Sequence, residues 1–258
     1  MNVLTSEEVV QARSTLSELV QRMARDETAK EHGAFWMADG SRFQVQFEAG
    51  YIPGGKDDPE LELKVRKLFW FIEEDDFFEQ LATMHPRLSG VLSSILGEEP
   101  ILFQDMALVK PPLIGGEKPW HQDDAYFSVE PLDAVCGIWI ALDEATVDNG
   151  CMHVIKGGHR DGPKIHVHDR DCEIDSDRLD LSRMVAVPLP PGGAMFFHGL
   201  LPHQTPPNRS PSRRRALQFH YRSRASRIIS KEEYSRLFAE NGTPASCAVA
   251  ARRSAIED

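Results

Sequence analysis

Cysteine is scarce in this chain: four among 258 residues, at 136, 151, 172 and 247, with no C-x-x-C pair. That spacing suits neither a disulfide framework nor a structural zinc site, so reduced thiols in or near the core are expected. Positive charge is also in deficit. Twenty-nine Lys and Arg stand against 40 Asp and Glu, a formal net charge of −11, and such a surface repels nucleic acid and anionic membrane alike. No apolar run is long enough to span a bilayer, and the opening residues carry neither a basic leader nor the apolar stretch of a signal peptide, so a cytoplasmic protein is expected. Gly157-Gly158-His159 lacks the lysine and helix of a phosphate-binding loop. What is present is a 41% hydrophobic chain that can bury one sizeable core, which predicts a single domain over residues 1–258.

The first hundred residues are expected to be a mainly helical scaffold. Thr5 and Glu8 fit a capping box, with Val9, Leu16, Leu19, Val20 and Met23 behind it at helical spacing. Further helices are predicted over Leu61 to Ile72 and Phe77 to Met84, the latter stopped near Pro86, with a short strand over Phe43 to Glu48 between. From Ile101 the pattern changes to short apolar runs broken by Pro, Gly and Asn, the sign of a β-barrel or jelly roll over residues 101–222. In Val135 to Leu142 one face carries Cys136, Ile138, Ile140 and Leu142, which want burial, while the other sets Trp139 among small residues like a cavity wall. In Arg213 to Tyr221 one face holds Arg214, Ala216, Gln218 and His220, a largely polar face that needs a cavity to look into. Residues Arg160 to Arg183 form a polar stretch too long for a hairpin loop, either a lid or a solvated insertion. If a lid, its shortening should spare metal and co-substrate binding. Ser230 and Glu233 cap a last helix, and a peripheral tail follows Gly242 within residues 223–258.

His121-Gln122-Asp123 carries the chemistry. On a strand, residues i and i+2 share a face, so an H-x-D pair offers one nitrogen and one oxygen ligand to the same ion. His203, on the run leading into the Arg214 strand, is the best-placed third ligand, with His198 as its competitor. Two imidazoles and a carboxylate make a facial triad that leaves positions open on iron(II) for a keto-acid and O2. Arg214, eleven residues past His203, has the planar fork for bidentate capture of the distal carboxylate of 2-oxoglutarate.

Residues from about Phe103 to Tyr221 resemble the phytanoyl-CoA dioxygenase family of iron(II)/2-oxoglutarate oxygenases. The resemblance lies in Pro119-Trp120-His121-Gln122-Asp123-Asp124-Ala125-Tyr126-Phe127, Gly137-Ile138-Trp139-Ile140-Ala141-Leu142, Asp148-Asn149-Gly150-Cys151-Met152 and Gly157-Gly158-His159. It continues through Phe196-Phe197-His198-Gly199-Leu200-Leu201-Pro202-His203 and Asn208 to Arg214-Arg215-Ala216. It implies a double-stranded β-helix, or cupin-like jelly roll, with flanking helices, and iron on His121, Asp123 and His203 rather than His198. It implies that Arg214 pairs with 2-oxoglutarate, that Thr205 sets a hydroxyl near the same carboxylate, and that Trp139 lines that pocket. Met106 and Lys67 are further matches, although Lys67 lies outside the matched core and reads equally as a surface lysine on a helix. Gly158 stands for a usual serine and Gln204-Thr205-Pro206 for a smaller run, neither of which removes a ligand.

The expected activity is hydroxylation of a small organic substrate or acyl-CoA with release of succinate and CO2. Halogenating members leave the carboxylate position empty, whereas this chain has Asp123. The competing readings are a zinc-type hydrolase or isomerase and a non-enzymatic regulatory binder. Arg213 and Arg215 belong to the opposite face, and His220 is read as a satisfied core histidine rather than a substrate contact. Substrate identity and oligomeric state leave no mark in the sequence.

Overall fold

In a computed structural model, which describes residues 2–48, 50–97, 99–168 and 171–239, the chain opens with helix Ser6–Arg25. The capping box is present: Thr5 Oγ1 accepts from the Glu8 N–H at 3.2 Å, and Glu8 Oε2 accepts from the Thr5 N–H at 2.7 Å. Loss of such a cap costs about 1 kcal/mol. The helix buries Val9, Leu16, Leu19, Val20 and Met23 against the main core.

The helix expected over Leu61 to Ile72 is absent. Leu61–Lys64 makes one short 3-10 turn and Val65–Phe69 is a strand. That strand lies between Gln44–Phe47 and Ile101–Lys110, and burial of Val65, Leu68 and Phe69 in the sheet outweighs local helix propensity. Among the described residues of the first hundred, helices Ser6–Arg25, Asp76–Met84 and Pro86–Leu96 thus share the segment with strands Lys30–His32, Phe35–Met37, Gln44–Phe47 and Val65–Phe69. Helical residues still outnumber strand residues there, with Val65–Phe69 the strand that takes the place of an expected helix. Pro86 does not merely stop a helix; it opens the next, where its missing N–H goes unneeded.

Two antiparallel sheets form the cupin-like jelly roll. The larger runs in the order Lys30–His32, Phe35–Met37, Gln44–Phe47, Val65–Phe69, Ile101–Lys110, Arg214–Arg222, Val135–Ala141 and Ala194–His198. The smaller runs Met184–Val187, Met152–Ile155, His203–Thr205 and Lys118–His121. The two faces of Val135–Ala141 divide as the alternation predicts. Cys136, Ile138, Ile140 and Leu142 join the core beneath the helices, whereas Trp139 and Ala141 join the core between the sheets; each large aliphatic side chain so buried contributes about 1.5–3 kcal/mol. Gly137 has a separate task. A Cβ there would lie 2.4 Å from Cζ of Phe197 on the adjacent strand, so the phenyl ring rests on bare backbone.

Within residues 160–183, strands His166–His168 and Cys172–Ile174 form a short hairpin, followed by 3-10 turns Ser176–Arg178 and Leu181–Arg183. Cys136 and Cys151 are free and buried. Cys172 is disulfide-bonded, which corrects the expectation of four reduced thiols. Helix Lys231–Phe238 starts at the Ser230/Glu233 box and packs Tyr234 and Phe238 on Leu200. The peripheral tail expected after Gly242 lies outside the described residues. No helix among the described residues is long and apolar enough to cross a membrane.

Candidate metal centre

His121 and His203 face each other across neighbouring antiparallel strands. The first strand ends at His121, so Asp123 is carried by the 3-10 turn Asp123–Tyr126 rather than by the strand on which the H-x-D spacing was read. One ligand atom from each of the three residues lies within 4.8 Å of the others, and all three are buried. The tautomers follow from backbone contacts. Nδ1 of His121 is 2.8 Å from the Pro119 carbonyl and Nδ1 of His203 is 3.0 Å from the Leu201 carbonyl. A carbonyl only accepts, so each Nδ1 carries a proton and each Nε2 is the nitrogen turned toward Asp123 and free to ligate a metal. Those nitrogens lie 3.3 and 3.7 Å from Asp123 Oδ1. Burial, and then His203, pushes His121 down to about 3, keeping it neutral. Two imidazole nitrogens and a carboxylate oxygen converge on one point, and this donor set fits a divalent first-row metal such as iron(II).

The other carboxylate oxygen is held from behind. His220 Nε2 donates to Asp123 Oδ2 at 2.8 Å and Gln218 Nε2 at 3.2 Å. Burial opposes ionisation of Asp123, but His203 and His220 outweigh it and hold the carboxyl well below its usual value. The His220 ring is enclosed by Phe103, Phe127 and Phe197. His220 is therefore a core histidine whose polar edge serves the triad, a contact the sequence did not reveal.

A cavity of about 270 Å³ opens between the sheets beside the triad, and His121, Asp123, His203, Arg214, Thr205, Trp139, Met106 and Lys67 all line it. Arg214 is 1% exposed, and its Nε and Nη1 have no hydrogen-bond partner. Its guanidinium carbon lies 5.1 Å from the centre of the Trp139 ring. Burial pushes it down to about 10, so it stays charged at neutral pH. A buried unpaired cation is costly unless an anion joins it. Lys67 sits on strand Val65–Phe69, which removes the surface-helix alternative; burial, then Lys118, pushes its ammonium down to about 8.

Lys110, which the sequence did not single out, lies opposite Arg214 in the strand pairing and donates to the carbonyls of Gly116 and Thr205. It fastens the Thr205 backbone beside the pocket. Lys118 and Tyr126 were also missed: Lys118 Nζ donates to Tyr126 Oη at 2.8 Å and pairs with Asp171 at 2.8 Å. Of the competing residues, His198 turns away, accepting from the Leu200 N–H at 3.0 Å and stacking on His159. Arg213 and Arg215 pair with Glu62 and Asp143 on the opposite face, as their alternation predicts.

Gln122, between two of the candidate ligands, ties the 160–183 segment to the site. Its Nε2 donates to the carbonyls of Gly162 and Leu200 at 2.9 and 2.7 Å, and its Oε1 accepts from the Lys164 N–H at 2.7 Å. Its own N–H donates to His166 Nε2 at 3.0 Å. Asp171 of the same segment reaches the cavity. The segment is built into the wall of the site.

A family model described as phytanoyl-CoA dioxygenase matches residues 1–216. The Caenorhabditis elegans phytanoyl-CoA dioxygenase domain-containing protein 1 homolog is 27% identical over 260 residues, covering 90% of this chain and 89% of that protein. Among solved structures, EvdO2 from Micromonospora carbonacea var. aurantiaca complexed with 2-oxoglutarate is similar at a TM-score of 0.59 and 28% identity, covering 89% and 86% of the two chains. EctD from S. alaskensis with bound Fe shares the fold at a TM-score of 0.67, with 22% identity over 88% and 72%. The chain belongs to the phytanoyl-CoA dioxygenase family.

Proposed function

We propose that this member of the phytanoyl-CoA dioxygenase family is an iron(II)- and 2-oxoglutarate-dependent hydroxylase of a small organic molecule. The observation that carries the reading is the buried, unpartnered Arg214 fork in the same cavity as three converging acceptor atoms. His121, Asp123 and His203 would hold iron, and Arg214 the distal carboxylate of 2-oxoglutarate, with Thr205, Trp139, Met106 and Lys67 around it. Iron(II) held there with 2-oxoglutarate would supply activation of O2 for hydroxylation of the substrate, with 2-oxoglutarate converted to succinate and CO2.

The protein's own residues position and protect. The Pro119 and Leu201 carbonyls fix both imidazoles with Nε2 inward. His220 and Gln218 occupy Oδ2 of Asp123, leaving Oδ1 for the metal. The Trp139 ring shields the Arg214 guanidinium from water and strengthens its grip on a carboxylate. A cavity of about 270 Å³ supports a small substrate over an enclosed coenzyme A thioester. Asp123 in the ligand position supports hydroxylation over halogenation. A zinc-type hydrolase leaves Arg214 without a purpose, and so does a binder that takes no anion.

The test is O2-dependent conversion of 2-oxoglutarate to succinate by the iron-loaded protein during a screen of small molecules, with product mass as the second readout. A gain of one oxygen atom is expected. Absence of 2-oxoglutarate binding, or a chlorinated product, would overturn the reading.

A further inference from the structure

We infer that the substrate taken by this cavity is an anion, a carboxylate or a phosphate monoester, and that Arg66 is the residue that selects it. Arg66 and Lys67 are consecutive on strand Val65–Phe69, where alternation should send them to opposite faces. Both line the cavity. The pairing explains how: Gln46 faces Lys67 and Phe47 faces Val65, so Arg66 is the extra residue of a bulge, and a bulge re-aims a side chain. Its guanidinium reaches the backbone of Gly116, where a Cβ would be in van der Waals contact with Nη2 at 3.4 Å.

The other basic groups on the wall are committed. Lys118 is held by Asp171 and Tyr126. Lys110 is held by two carbonyls. Arg214 and Lys67 are spoken for by the co-substrate in the proposed function, on which this inference rests. Arg66 pairs with Glu48 only loosely: its Nε lies 3.7 Å from Glu48 Oε1, an ion pair too long for a hydrogen bond. The Arg66 side chain is 34% exposed, so it reaches solvent as well as lining the cavity. A chain of net charge −11 that keeps a loosely paired guanidinium on this wall draws anions to one place on its surface. The fork matches carboxylate or phosphate oxygens two at a time.

The probes are small carboxylates, phosphate monoesters on the same carbon skeletons, and their neutral methyl esters and alcohols, titrated calorimetrically into Mn(II)-loaded protein with and without 2-oxoglutarate. Anions should bind and their neutral counterparts should not. Preference between the two anion groups names the source. Arg66→Gln should weaken the preferred anion about 10- to 100-fold, and Arg66→Lys should restore part of that loss. Binding of neutral analogues as tight as that of anions, no anion binding, or an Arg66→Gln affinity within twofold of the wild type would each overturn the inference. The affinity for 2-oxoglutarate is titrated separately. Its absence removes the proposed function, while the anion series still decides the role of Arg66.

Discussion

His220 Nε2 lies 2.8 Å from Asp123 Oδ2, on the side of the carboxylate away from His121 and His203. The contact divides the labour of one carboxylate between two oxygens. With Oδ2 occupied, Asp123 is held as a one-oxygen ligand, and the ring that holds it is wedged among three phenyl groups. Replacing His220 by Phe keeps most of that packing and removes the hydrogen bond. Metal affinity should fall roughly 10- to 100-fold, the usual effect of losing such a partner, and titration with Mn(II) measures it. An unchanged affinity would show that Gln218 alone suffices.

Arg214→Met should separate co-substrate from metal. Loss of a charge-assisted bidentate contact costs on the order of 2–4 kcal/mol, or roughly 30- to 1,000-fold in 2-oxoglutarate affinity, with little change for Mn(II). The apo protein should be no less stable than the wild type, because a buried cation without an anion is replaced by an apolar chain of similar length. A large drop in the apo melting temperature would argue that Arg214 is structural.

Lys110 makes a pH prediction. Burial, and then Arg214, pushes its ammonium from 10.5 down to about 6. Between those values the unfolded chain takes up a proton that the folded chain does not, so this lysine's contribution to stability rises with pH. The stability of the wild type minus that of Lys110→Met should therefore increase between about pH 6 and pH 9. Urea titrations across that range give the difference, and a flat one would mean that Lys110 remains charged in the fold.

Gln122→Ala should loosen the 160–183 segment and the metal together. It strands the Gly162 and Leu200 carbonyls and the Lys164 N–H, at about 1–3 kcal/mol for each group left buried and unpaired. Mn(II) affinity should drop about tenfold, and more succinate should form per product hydroxylated. The sequence alone predicts that shortening this segment spares the metal; the Gln122 bonds predict that it does not. Intact metal binding in a shortened variant would restore the simpler lid.

The triad and Arg214 were legible because their signals are local: a spacing of two, an alternating strand and a fixed distance from His203 to Arg214. The faces of Val135–Ala141 were legible for the same reason. Val65–Phe69 was not, because its partners Gln44–Phe47 and Ile101–Lys110 are remote in sequence and supply the burial that decides the case. Lys110 opposite Arg214, and His220 behind Asp123, depend on strand register and on the approach of the two sheets. Gln122 gave no signal at all, since its three side-chain bonds run to irregular backbone without periodicity.

The bare backbone of Gly137 under the Phe197 ring sets a gauge for the whole centre. That ring sits 5.1 Å from the His203 ring and 6.1 Å from the His220 ring, centre to centre, so it spaces one candidate ligand and the support of another. A single methyl group at position 137 would lift the phenyl ring and pass the displacement to both imidazoles, since packed interiors transmit such shifts rather than absorb them. The geometry of the metal centre is thus vulnerable at a residue that has no side chain and touches no ligand.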